Sequence, residues 1–122
     1  MTTPRLELMI DCPDAIALAP FWAAALGYEV GPGDGQPYVD LVAPPGSPHV
    51  GLQTVPEPKA AKSRIHFDLY VPLAEVEAEV DRVVGLGATI LAEPVRRADG
   101  RFNFQILADP AGTEFCICAE HD

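Results

Sequence analysis

Residues 5–30 read RLELMIDCPDAIALAPFWAAALGYEV and residues 64–90 read RIHFDLYVPLAEVEAEVDRVVGLGATI, and the shared plan of these two stretches decides the fold. In the first, Leu6, Leu8 and Ile10 alternate with Glu7, Met9 and Asp11, the period-two pattern of a half-buried strand over Arg5–Asp11. Asp14 then offers a side-chain oxygen suited to capping a helix N-terminus. Leu18, Phe21, Trp22, Ala25 and Leu26 recur at helical steps until Gly27 supplies a stop. Pro20 removes one backbone donor inside that run, which predicts a kink or a helix proper that begins near Ala19.

The second stretch repeats the design. Ile65, Phe67, Leu69 and Val71 alternate with Arg64, His66, Asp68 and Tyr70. A helix follows from about Leu73 with Val76, Val80 and Val83 as its apolar stripe, and Glu75, Glu77 and Glu79 occupy the turns where the helix dipole favours negative charge. It stops at Gly87, 60 residues after Gly27 and about half a chain away. Short strands follow each helix: Tyr28–Val30, Pro37–Val42 and Val50–Val55 in the first half, Ala88–Leu91, Arg101–Leu107 and Thr113–Ala119 in the second. The polar stretch Arg96–Gly100 reads as a loop, and Asp109-Pro110-Ala111-Gly112 as a turn between the last two strands. The chain therefore reads strand-helix-strand-strand-strand twice, an internal repeat within one domain over 1–122, with modules at about 4–56 and 63–120.

Length and charge set the outer limits. A chain of 122 residues is one domain's worth of protein. Eight basic residues against 18 acidic ones give a net charge of −10, which disfavours nucleic acid and anionic membrane surfaces as partners. Glu7 and Asp11 interrupt the segment where a signal peptide needs unbroken apolar residues, and no run is long enough to span a bilayer. Cys12, Cys116 and Cys118 form an odd set without metal-knuckle spacing, which points to a reducing cytoplasm.

Four stretches together carry a family likeness: IDCPDAIALAPFWAAALGYEV (residues 10–30), VPEPKAAKSRIHFDLYV (55–71), VGLGAT (84–89) and LADPAGTEFCIC (107–118). On these the sequence resembles the glyoxalase-like domains of the vicinal oxygen chelate superfamily, which includes glyoxalase, bleomycin-resistance and extradiol dioxygenase proteins. The resemblance implies an α+β fold of two tandem βαβββ modules, mixed sheets curled around a shared cavity and helices outside. It also implies a homodimer and a small-molecule ligand. The function it implies is that of a divalent-metal-dependent lyase, isomerase or dioxygenase, or alternatively of a metal-free protein that sequesters a hydrophobic or aromatic compound.

With the apolar side of each first strand turned to its helix, Glu7, Met9 and Asp11 face the cavity from one half and His66, Asp68 and Tyr70 from the other. Glu114, Cys116 and Cys118 share the cavity side of the last strand, and Gln53 points inward from Val50–Val55. Phe102 and Phe104 alternate with Asn103 and Gln105, and one of these pairs faces the cavity, with Phe104 taken as a ligand contact. The resemblance puts metal ligands at Glu7, Gln53 or Leu52, His66 and Cys116. A carboxylate, an imidazole and a thiolate suit zinc, nickel, manganese or iron, with Glu7, or a water on the metal, as the base. Neighbours on one strand face stand about 7 Å apart, so each strand is expected to offer one ligand. The alternative is structural: His66 hydrogen-bonded to Asp68, Gln53 or Glu7, and Cys116 packed as a small apolar group. Lys59, Lys62 and Arg64 either attract an anionic substrate, pin a neighbouring module or form a solvated linker.

Overall fold

The computed structural model describes residues 2–32 and 37–121. The chain divides into two compact units, Met1–Lys59 and Ala60–Asp122. Each carries one mixed sheet and one α-helix, so the architecture is α+β with two mixed sheets.

In the first unit the order is β1 (Glu7–Cys12), α1 (Ala15–Leu26), β2 (Glu29–Val30), β3 (Tyr38–Val42) and β4 (His49–Thr54). The strands lie in the order β1-β4-β3-β2; β1 and β4 are parallel, the other pairs antiparallel. The turn from β1 into α1 is closed by two side chains. Asp14 Oδ1 accepts from the Ala17 N–H at 3.1 Å, and Thr54 Oγ1 accepts from the Ala15 N–H at 2.9 Å, so β4 itself anchors the helix start. At the other end Gly27 turns left-handed at φ 73°, which lets the Tyr28 N–H reach the Ala23 carbonyl at 2.8 Å.

Pro20 does not delay the helix, which runs unbroken from Ala15. The proline lies on the exposed side, and so does Ile16, whose carbonyl loses its intrahelical donor and can be hydrated instead. The opposite side of α1 buries Leu18, Ala19, Trp22 and Ala25 over the sheet, where Ile10, Leu41, Val50 and Leu52 are buried in turn. Phe21 meets Trp22 edge to face, with ring centroids 5.3 Å apart.

The second unit contains β5 (Phe67–Pro72), a 3-10 turn (Leu73–Glu75), α2 (Val76–Leu86), β6 (Thr89–Ile90), β7 (Val95–Arg96), β8 (Phe102–Ala108) and β9 (Glu114–Glu120). Its sheet order is β5-β9-β8-β6, with β5 and β9 parallel, which matches the first unit strand for strand. Val76, Val80 and Val83 are buried on α2 as the spacing predicts, above Leu107, Phe115 and Ile117. Two expectations change. Leu6 and Ile65 precede their strands and stand 78% and 77% exposed, so the core side of β1 and β5 starts two residues later.

The second change is β7. The stretch Arg96–Gly100 belongs to a hairpin, in which the Arg97 N–H bonds the Arg101 carbonyl at 2.8 Å and Asp99 holds the Arg101 backbone and guanidinium. This β7 pairs with β8 through Val95↔Phe104 and Arg96↔Phe102, which leaves Asn103 as an extra residue on β8. No helix among the described residues is long and apolar enough to cross a membrane.

Candidate metal centre

The parallel pairing of β5 with β9, and the antiparallel pairing of β9 with β8, line up side chains in rows across the second sheet. Asp68 stands beside Cys116, and Cys116 beside Ile106. Two residues further along, Tyr70 stands beside Cys118, and Cys118 beside Phe104. All six line one pocket of about 450 Å³, completed by His66, Lys62, Asn103 and Glu114. The face is the one turned away from the buried valines of α2 because Phe67, Leu69, Phe115 and Ile117 take the opposite parity.

Asp68 is the hub of the polar row. Its Oδ1 lies 3.0 Å from His66 Nδ1, with the two side chains 42% and 40% exposed in the order His66, Asp68. A carboxylate accepts, so the proton of this contact sits on Nδ1 of His66. The Cys116 thiol also bonds to Asp68 and is 7% exposed. Burial, then the Asp68 charge and that hydrogen bond, push the Cys116 thiol up to about 11, against a smaller downward pull from Lys62. Cys118 is pushed up to about 12 by burial, then by the charges of Asp68 and Cys116. Both sulfurs are therefore thiols at neutral pH unless an incoming cation displaces the proton.

Donor atoms of His66, Asp68 and Cys116 all lie within 4.8 Å of one another. That span suits a single ion, and an imidazole, a carboxylate and a thiolate form a donor set that zinc and other borderline divalent metals accept. The residues present thus fit a metal. His66 stands just ahead of β5, and its imidazole leans toward the Asp68 carboxylate, so two candidate donors come from one segment of the chain.

Glu7, Met9, Asp11 and Gln53 belong to the first unit. There Met9 lies opposite Gly51, and Asp11 opposite Gln53, which also faces Tyr38. The Glu7 carboxylate sits 3.5 Å from the Arg5 guanidinium and leans over Gly51, next to the Asp40 side chain. Of the other anticipated contacts, Asp68, Tyr70 and Phe104 share the pocket with His66 and Cys116. The alternation of residues 102–105 resolves into neither pair: with Asn103 bulged, Asn103 and Phe104 both reach the pocket, while Phe102 and Gln105 are buried. Gln105 is satisfied by donating from Nε2 to the Ala92 carbonyl at 3.2 Å. Glu114 accepts from both the Ser63 N–H and the Ser63 hydroxyl, a contact between residues 51 positions apart that sequence patterning does not disclose.

A model of the glyoxalase-like domain matches residues 7–118. The chain belongs to that family, and with it to the vicinal oxygen chelate superfamily. No curated protein matches the chain. Among solved structures, this glyoxalase-like domain is similar to a glyoxalase/bleomycin resistance protein/dioxygenase family enzyme from Burkholderia phytofirmans PsJN, at 17% identity, TM-score 0.72, and coverage of 91% of this chain and 94% of that one. It is similar to a variant of the fosfomycin resistance protein FosX from Listeria monocytogenes, complexed with Mn(II) and 1S,2S-dihydroxypropylphosphonic acid, at 13% identity, TM-score 0.77, and coverage of 99% and 93%. A hypothetical protein from S. aureus matches at 19% identity, TM-score 0.71, and coverage of 98% and 96%. At such identities these likenesses speak to fold.

Proposed function

We propose that this glyoxalase-like domain is a divalent-metal-dependent enzyme acting on a small molecule in the pocket of its second unit, as a lyase, isomerase or dioxygenase. The observation that carries the reading is the convergence of His66, Asp68 and Cys116 donor atoms within 4.8 Å on a pocket wall. The Mn(II) in the FosX complex adds support from a protein of the same fold.

His66, Asp68 and Cys116 would hold the ion, and a bound divalent cation supplies Lewis-acid polarisation of a substrate oxygen. Asp68 fixes the imidazole by accepting from Nδ1–H, which leaves Nε2 as the donor nitrogen. The Cys116 thiol gives up its proton as the ion is captured. Phe104, Ile106 and Tyr70 bind the apolar part of the ligand and displace water from the polar row.

A homodimer in a reducing cytoplasm completes the proposal. Three free cysteines support the compartment, and light scattering tests the dimer.

Elemental analysis of protein purified without chelator decides the main point. About one equivalent of a transition metal, or a rise in melting temperature on adding Zn²⁺, Ni²⁺, Mn²⁺ or Fe²⁺, is expected. Less than about a tenth of an equivalent with no such rise refutes the enzyme reading. One observation favours a second reading, a metal-free binding protein: Asp68 already partners both His66 and Cys116, so the polar row is satisfied as it stands.

A further inference from the structure

His66 is the one member of the donor cluster that no strand holds. β5 begins at Phe67, paired with Phe115, so His66 stands one step before the ladder while Asp68 and Cys116 stand inside it. The segment 60–66 that leads up to it has no regular structure and is exposed at every position but Ser63, which is half-buried. The Asp68 carboxylate steadies the imidazole, but a side-chain bond cannot place a ring whose backbone drifts.

Glu114 supplies an anchor for that backbone. It is the first residue of β9, two positions before Cys116 on the same face of the sheet. One of its oxygens, Oε2, accepts from the Ser63 N–H at 3.1 Å and from the Ser63 hydroxyl as well. A carboxylate is a stronger acceptor than a neutral oxygen, and two bonds from one residue fix its orientation as well as its place. Ser63 is three residues from His66, a reach of about 10 Å, and Glu114 is two from Cys116, about 7 Å. The contacts therefore close a circuit: Ser63 to Glu114, along β9 to Cys116, across to Asp68, on to His66, and back along the chain to Ser63. Without Glu114 the circuit opens, and the segment ahead of His66 gains freedom that any bound ion must later remove.

We infer that Glu114 is a positioning residue: through Ser63 it anchors the segment that carries His66 and so holds the imidazole against the Asp68–Cys116 row. Glu114 is not among the clustered donors, and its part is to fix a donor rather than to supply one. The consequence for a cation rests on the reading of this cluster as a metal centre, whereas the anchoring itself shows in metal-free protein.

Two measurements on the full chain test it. In chelator-treated protein, trypsin reports on the segment directly, because Lys62 and Arg64 flank Ser63. Glu114→Ala should speed cleavage after these two residues by at least about tenfold and leave cleavage after Arg82, inside α2, unchanged. Glu114→Gln keeps an oxygen for Ser63 and should stay within about threefold of wild type. Ser63→Ala loses the hydroxyl bond alone; it should speed cleavage after Arg64 by about threefold, and it stands in if Glu114→Ala does not fold. Equal acceleration at all three sites, or none at any, would overturn the inference.

The second measurement is zinc affinity by chelator competition, in a double-mutant cycle with His66. Glu114→Ala alone should weaken zinc binding about tenfold. Added to His66→Ala it should change the affinity by less than about twofold, since Glu114 acts through the imidazole. A loss of equal size in both backgrounds would mean that Glu114 acts on the ion by its own charge or on the fold at large, and would also overturn the inference. A wild-type chain that takes up no zinc refutes the enzyme proposal alone. In that case, or where His66→Ala binds too weakly for the cycle, the cleavage pattern decides the anchoring by itself.

Discussion

Nδ1 of His66 and Oδ1 of Asp68 meet at 3.0 Å although both residues project from the same segment, one position apart on its pocket face. In the proposed metal centre Asp68 would be both a donor for the ion and the group that orients the imidazole. Asp68→Asn keeps the side chain's size and removes its charge, and should lower zinc affinity by about 10–100-fold. His66→Ala should lose more. Competition with a chromophoric zinc chelator measures both, and wild-type affinity in either variant would remove the cluster from consideration.

Ion capture should be coupled to pH. The Cys116 thiol, pushed up to about 11, must release a proton when it becomes a ligand. One proton released per ion predicts about a tenfold rise in affinity per pH unit between pH 7 and 8.5. Calorimetry in buffers of different ionisation enthalpy should count that proton directly. Cys116→Ser should flatten the dependence, and an equally steep slope in that variant would show that the proton comes from elsewhere.

The same two sulfurs shape stability of the metal-free protein in alkali. Cys116 and Cys118 keep their protons in the folded state up to about 11 and about 12, whereas an unfolded thiol loses its proton near 9.0. The unfolded state therefore binds fewer protons above pH 9, and stability falls as pH rises. Below pH 9 both states are protonated and the effect vanishes. The loss should approach about 1.4 kcal/mol per pH unit for each thiol between pH 9 and 11, and Cys118→Ala should roughly halve it. Urea unfolding under reductant at pH 8, 9, 10 and 11 measures the slope.

Two glycines of the first unit should respond in opposite ways to alanine. A Cβ on Gly31 would lie 2.5 Å from the Asp40 carbonyl oxygen, which is backbone and is itself bonded to the Gly31 N–H at 2.8 Å. Something must move, and Gly31→Ala should cost about 1–3 kcal/mol. A Cβ on Gly51 would meet only the ends of the Glu7, Asp40 and Met9 side chains, at 3.0, 3.0 and 3.1 Å. These can rotate aside, so Gly51→Ala should cost under about 1 kcal/mol. Denaturant midpoints compare the two, and equal losses would contradict the assignment.

The paired plan was legible because each half switches from a period of two to a period near 3.6 and then stops at a glycine. Val76, Val80 and Val83 declare their burial by spacing alone. The two-residue strand β7 does not, since Val95 and Arg96 carry no period and become a strand only by pairing with β8. The pocket face of β5 and β9 followed from parity, which kept His66, Asp68, Tyr70, Cys116 and Cys118 together. Parity failed on β8, where Asn103 breaks the count, and for His66 the residue types allowed three partners, Asp68, Gln53 or Glu7, of which the fold brings Asp68 to the imidazole. The Ser63–Glu114 contact depends on how the chain returns on itself, and nothing local to either residue records it.

That extra residue on β8 has an evolutionary corollary. Removing Asn103 would restore an ordinary ladder with Phe102 still turned inward and Phe104 still turned outward, because consecutive positions alternate. Position 103 is thus a place where a gene can shorten by one codon without overturning either ring. Descendants that differ only there would share a scaffold while trading one amide at the rim for open space.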